Sequence, residues 1–164
     1  MITSGKTNLR VVEPDDIGFI YDWENNPEFW SVSEKSGPFG FDEVADFIQS
    51  CTDLNKYQQI RWIILDDEKY PIGSIDIFEF DHQTKTAGIG ILIAEEKDRK
   101  KGFAFDALTG IIAHYKSNNE INFLRTLIYY DNQASLRLFR KLGFQELGER
   151  EFKGKIAKQF VLEI

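Results

Sequence analysis

Two hydrophobic periods alternate along this chain. Ile89, Ile91 and Ile93 put an apolar side chain at every second position, as a strand with one strongly buried face does. After Asp98-Arg99-Lys100-Lys101-Gly102 the spacing lengthens, and Ala104, Leu108, Ile111, Ile112 and Tyr115 share one face of a helix. Read through the whole chain, the pattern predicts strands at 8–12, 59–65, 72–80, 85–93, 123–130, 144–152 and 156–163. It predicts helices near 15–25, 42–52, 102–117 and 133–141. Pro14-Asp15-Asp16 opens the first helix, Gly143 closes the last, and the polar run Asp66-Asp67-Glu68-Lys69 turns between two strands. Short polar turns between consecutive strands predict antiparallel pairing, and the two helical crossings predict parallel neighbours. The expected fold class is α+β: one domain over 1–164, with a seven-stranded mixed, mostly antiparallel sheet and about four helices on its two faces.

A chain of 164 residues buries about two-thirds of its unfolded surface without covalent staples. Its one cysteine, Cys51, excludes an intrachain disulfide and is expected to pack in the 42–52 helix. His82 lies in a turn-like stretch and His114 on the 102–117 helix; with no paired-histidine spacing, no metal site is expected. No apolar run approaches a membrane span, and the opening MITSGKTNLR lacks the apolar centre of a signal peptide, so a cytoplasmic protein without membrane partners is expected.

The charge is unevenly distributed. Residues 1–98 carry eight Lys/Arg against twenty Asp/Glu, a net −12, while residues 99–164 carry twelve against seven, a net +5. The basic part suits a polyanionic ligand. The acidic part repels nucleic acid and either attracts a cationic partner or serves solubility.

The basic turn at 98–102 leads from strand to helix, and that junction has the parts for binding phosphate. The first N–H groups of a helix are unpaired and point outward, glycine lets an anion approach the main chain, and Arg99, Lys100 and Lys101 add charge-assisted bonds. The run Arg99-Lys100-Lys101-Gly102-Phe103-Ala104 resembles the Arg/Gln-x-x-Gly-x-Gly/Ala signature of the GCN5-related N-acetyltransferase (GNAT) family. A second block supports the resemblance: the β-type run 123–130, then Asn132, a helix, and Lys141-Leu142-Gly143-Phe144. Asn132 is equally well placed as a plain helix N-cap. Asn8-Leu9-Arg10 with Glu13-Pro14-Asp15-Asp16 resembles the family's opening. Trp23-Glu24-Asn25-Asn26-Pro27 and Ile72-Gly73-Ser74-Ile75-Asp76 resemble the branch of ribosomal-protein N-terminal and spermidine/diamine acetyltransferases.

The resemblance implies a sheet splayed between the strands at 85–93 and 123–130, with acetyl-CoA (CoA) in the cleft as acyl donor and no metal. The main chain of Leu92, Ile93 and Ala94 would bind the pantetheine arm and a backbone N–H there the thioester oxygen. Arg99, Lys100, Lys101, Gly102, Phe103 and Ala104 would hold the pyrophosphate, and Asn132 the arm. The acceptor pocket of this branch lies around the first two helices, where Trp23, Glu28, Phe29 and Trp30 stand, an aromatic and acidic wall suited to an amine.

In two places the chain departs from its relatives. Phe139 stands where many carry the tyrosine that protonates the departing thiolate, and Gly88 where spermidine-type enzymes carry a glutamate. The candidate replacements are Asp76, Glu79, Tyr129 and Tyr130. In a regular strand Asp76 and Glu79 point to opposite faces, so at most one of them meets the substrate. Three functions stay open. The first is acetyl transfer to a primary amine of a small molecule such as a polyamine, diamine or amino sugar. The second is acetylation of a protein N terminus or lysine, as in ribosomal-protein acetyltransferases, and the third an acyl-CoA-binding domain with weak or no catalysis. A homodimer or larger assembly is implied by the resemblance.

Overall fold

A computed structural model describes residues 1–32 and 36–164. In chain order its elements are β1 (Ile2–Ser4), β2 (Thr7–Val11), α1 (Ile17–Glu24), α2 (Phe41–Gln49), β3 (Thr52–Asp53), α3 (Leu54–Tyr57) and β4 (Gln59–Leu65). Then come β5 (Pro71–Asp81), β6 (Thr86–Ile93), α4 (Phe103–Asn118), β7 (Phe123–Tyr129), α5 (Gln133–Lys141), β8 (Gln145–Phe152) and β9 (Lys155–Glu163). The sheet among the described residues has nine strands rather than seven, in the order β1-β2-β4-β5-β6-β7-β9-β8, with β3 paired to β4 off that path.

The two additional strands are short. β1 forms a hairpin with β2 through Gly5-Lys6, Ser4 facing Thr7 and Gly5 at φ +53. Two-residue β3 pairs with Gln59 and Ile60, the stretch of β4 that β2 does not reach. Neither is long enough to show a period. Parallel pairing also differs from expectation. β6 and β7 pair parallel, but the second crossing, through α5, gives no parallel pair, because β9 inserts antiparallel between β7 and β8.

β4 shows how one strand serves two layers. Ile60, Trp62 and Ile64 belong to the larger buried cluster, with Leu108, Ile111 and Tyr115 of α4 and Leu136 and Phe139 of α5. Ile63 and Leu65 face the other way, onto Ile20 of α1, Val44 and Ile48 of α2, and Cys51 just beyond α2. Burial on both faces explains the nearly unbroken apolar run of this strand. The Trp62 indole donates to the Tyr115 hydroxyl at 3.0 Å, tying the sheet to α4. No helix among the described residues is long and apolar enough to cross a membrane.

Candidate active site

The site begins where the sheet comes apart. β6 and β7 pair only at Thr86–Phe123, Ala87–Leu124 and Gly88–Arg125, and their remaining residues diverge. β6 stays bonded to β5 on its other side. The Ala94 N–H donates to the Ile72 carbonyl at 2.9 Å. Alternation along an antiparallel pair therefore turns the main-chain groups of Gly90 and Leu92 toward β5 as well, and those of Ile91 and Ile93 toward the splay.

At the end of β6 the chain turns through Lys100 (φ +59) and Gly102 (φ +86) into α4. A Cβ built on Gly102 meets nothing within 4 Å, so the space in front of the first turn of α4 is open. Phe103 and Ala104 form that first turn, while Lys100 and Lys101 are exposed beside it. The hairpin tip of β1 and β2 braces it from behind. The Lys6 N–H donates to Asp106 Oδ2 and the Lys6 ammonium to the Lys101 carbonyl, each at 2.9 Å.

Arg99 is turned back onto its own strand. Its Nε donates to the Ile93 carbonyl at 3.1 Å and one terminal nitrogen to the Ala94 carbonyl at 3.3 Å. The other terminal nitrogen pairs with Glu28 at 3.1 Å. This guanidinium braces the end of β6 and reaches the loop after α1.

On the α1/α2 face of the sheet lies a charged cluster built on Arg61 of β4. Its guanidinium is buried and holds both Asp76 oxygens at 2.6 Å. A third nitrogen donates to Glu24 Oε1 at 2.7 Å, and the Phe47 ring lies 4.7 Å away. Burial opposes the charge on Arg61, but Asp76 and then Glu24 overcome it, and its pKa lies above the ordinary arginine value. The buried Cys51 thiol beside this cluster is pushed by desolvation up to about 12.

Asp76 and Glu79 share this face, against the expectation for a regular strand. β5 shifts register between Phe78 and Asp81, Glu79 takes φ +49, and the next residue, Phe80, returns to the α4-side core. Glu79 pairs with Arg125 of β7, whose neighbour Leu124 points into that core. The same region accounts for Gly88. A Cβ there would lie 2.3 Å from the Phe78 ring, so the aromatic side chain fills the space a residue at 88 would use.

The remaining candidates divide. Tyr129 is buried, donates to the Phe152 carbonyl at 3.3 Å, and has the Lys155 ammonium 5.0 Å from its ring. Burial pushes its phenol up, against the pull of Lys155. Tyr130 is exposed, with Lys158 4.7 Å from its ring. Asn132 caps α5, accepting from the Ser135 N–H at 3.2 Å. Phe139 is buried against Phe144. Trp23 packs on Phe19, and the Trp30 indole donates to the Glu24 carbonyl at 2.7 Å. Sequence reasoning missed Arg61, Glu24 and Arg125. Arg61 carried a signal: a single charge inside the apolar run 60–65 requires a partner.

Comparison with known proteins places this geometry. A family model described as an acetyltransferase (GNAT) domain matches residues 6–145. An N-acetyltransferase 9-like protein of Nematostella vectensis is 28% identical over 151 residues, covering 85% of this chain and 75% of the relative. Among solved structures, the ribosomal L7/L12 α-N-protein acetyltransferase RimL in complex with coenzyme A superposes with a TM-score of 0.86 at 17% identity, covering 100% of this chain and 98% of that one. The spermidine N-acetyltransferase of Vibrio cholerae in complex with CoA and spermine gives 0.83 at 21% identity, covering 96% and 95%.

Proposed function

Because this chain belongs to the GNAT acetyltransferases, we propose that it moves the acetyl group of acetyl-CoA to a primary amine of a small molecule, a polyamine, diamine or amino sugar. The observation that carries the reading is the splay itself. An unpaired edge of β6 leads through the turn at 94–102 into an open, glycine-started helix N terminus, so a long ligand with amides along it and a pyrophosphate at one end finds partners in the right order.

Acetyl-CoA supplies a thioester, whose acetyl carbon bonds to the amine nitrogen as CoA leaves as a thiol. The protein does the rest. The main-chain groups of Ile91 and Ile93 align the arm and offer N–H groups to the carbonyl oxygen as negative charge grows there. Leu92 and Ala94 hold that strand to β5, and Arg99 fixes its end. The Phe103 and Ala104 N–H groups, with Lys100 and Lys101, take the pyrophosphate, and the helix capped by Asn132 flanks the arm. Asp76 and Glu79 face the acceptor, with Trp23, Glu28 and Trp30 as the wall of its entrance. Tyr130, exposed just past β7, is the candidate proton relay, and Tyr129 turns its hydroxyl to the Phe152 carbonyl on the other face of the strand. The exposed outer strand β8, with Leu147 on it, suits assembly into a homodimer or larger form.

The test is a melting and turnover series. CoA at about one hundred times its Kd should stabilise the fold by about 2.7 kcal/mol, which raises Tm by about 5–11 °C for a domain of this size. Acetyl-CoA with a panel of polyamines, amino sugars and basic peptides, followed by thiol release, then separates the readings. Turnover with peptides alone would replace the small-amine reading. CoA binding with no turnover on any amine would leave an acyl-CoA-binding domain.

A further inference from the structure

Arg61 is a buried cation shared by two carboxylates, and the splay does not explain that cluster. One cation faces two carboxylates. Arg61 neutralises one of them, leaving a surplus negative charge on the α1/α2 face, with about a third of the Asp76 side chain (36%) and of the Glu24 side chain (29%) still reaching solvent.

The position of that charge matters. Cross-strand partners share a face, and the partner of Asp76 on β6 is Gly90. Gly90 has no side chain, and a Cβ there would meet nothing nearer than Phe78 at 3.9 Å. Adjacent strands lie about 4.8 Å apart. Asp76 therefore lies one strand from the splayed edge of β6, with no side chain at Gly90 between them, while its carboxylate is held toward Arg61 on the other side of β5.

We propose that Arg61 is a positioning residue for the acceptor amine: it fixes Asp76, the cross-strand partner of Gly90, with a two-pronged grip, and it brings Glu24 of α1 to the same point so that the site keeps one net negative charge for a cation. This rests on the small-amine reading above and specifies how that site selects its substrate. The planar guanidinium is needed because a single group must hold both Asp76 oxygens and reach Glu24 at once, with the Phe47 ring supporting it. A lysine keeps the charge and loses the fork. Asp76 then swings, since only its own strand holds it.

The experiment uses the full chain with acetyl-CoA and spermidine, or whichever panel amine turns over best. Arg61→Lys is expected to keep CoA affinity within twofold and kcat within threefold, while KM for the amine rises at least tenfold. Glu24→Gln, a milder change at a partly exposed position, is expected to raise amine KM three- to tenfold at unchanged CoA affinity, with the increase largest for the most highly charged amine. A purely structural cluster would instead lower Tm and weaken CoA and amine together, and that pattern overturns the inference. So does an unchanged amine KM in Glu24→Gln, whether or not Arg61→Lys folds. Failure of the function reading looks different: the parent protein itself would acetylate no small amine.

Discussion

Replacing Phe139 of α5 by tyrosine tests whether a phenol at this position can protonate the departing thiolate, the role that the family resemblance implies there. The structure puts Phe139 inside the larger core cluster, 2% exposed, edge-on to Phe144 with ring centroids 5.0 Å apart. Every buried side-chain nitrogen and oxygen among the described residues already has a partner, so an added hydroxyl finds no polar atom waiting for it. Burying a hydroxyl without a compensating bond costs about 1–3 kcal/mol. At about 2–4 °C per kcal/mol for a chain of this length, Phe139→Tyr should lower Tm by about 2–12 °C. A phenol that stays in the core cannot reach sulfur, so kcat should change less than threefold. Thermal melts with and without CoA, followed by steady-state thiol release, make the measurement. A variant that keeps its Tm and gains about 3–30-fold in kcat, the low side of general-acid effects, would show that the 139 side chain opens onto the cleft and refute this placement.

The phosphate turn gives a comparison of two variants. Gly102→Val should weaken CoA binding at least tenfold in calorimetry, because φ +86 is strained for a branched residue and its side chain would fill the open space before α4. Arg99→Ala should cost less, about 1–2 kcal/mol, acting through the loosened end of β6; equal effects would mean that the phosphates lie on Arg99 rather than on the helix start. Cys51 provides a pH test. Its folded pKa of about 12 exceeds the ordinary thiol value of 9.0, so the neutral thiol favours the fold below pH 9 and that advantage is lost as pH rises toward 12. Urea melts at pH 10.5 should show the parent losing about 2 kcal/mol more than Cys51→Ala relative to pH 8, and identical losses would refute it.

Much of this fold is legible in the sequence, for identifiable reasons. β6, the basic turn and α4 were legible because the period changes from two to 3.6 within a few residues, with glycine between. The α5 block was legible from its asparagine start and glycine stop. The short strands β1 and β3 were not, since three and two residues carry no period. Nor was the bulge at Glu79, because a left-handed glutamate is dictated by the register of neighbouring strands rather than by its own preference. That bulge changed the face on which a candidate carboxylate lies. The Arg61 cluster needs three elements, α1, β4 and β5, to meet, and only the isolated charge in an apolar strand hinted at it.

The exchange around Gly88 bears on how the amine loses its proton. Phe78 occupies the space above the glycine, so a carboxylate cannot stand there without displacing the ring. The nearest acids are both engaged: Glu79 with Arg125, and Asp76 with two nitrogens of Arg61. Both carboxylates are already committed to guanidinium groups, which suits them to anchoring a further cation. The proton then leaves to water before attack, and the protein works on whatever amine is already neutral, about 0.1% at pH 7 for a pKa near 10. For such an enzyme log(kcat/KM) for the amine climbs with a slope near one from pH 7 to the pKa of the amine, and it moves with that pKa when acceptors are changed. A plateau beginning below the amine pKa, at one pH for every acceptor, would reveal a protein base, with Glu79 and Tyr130 as the candidates, and refute this route.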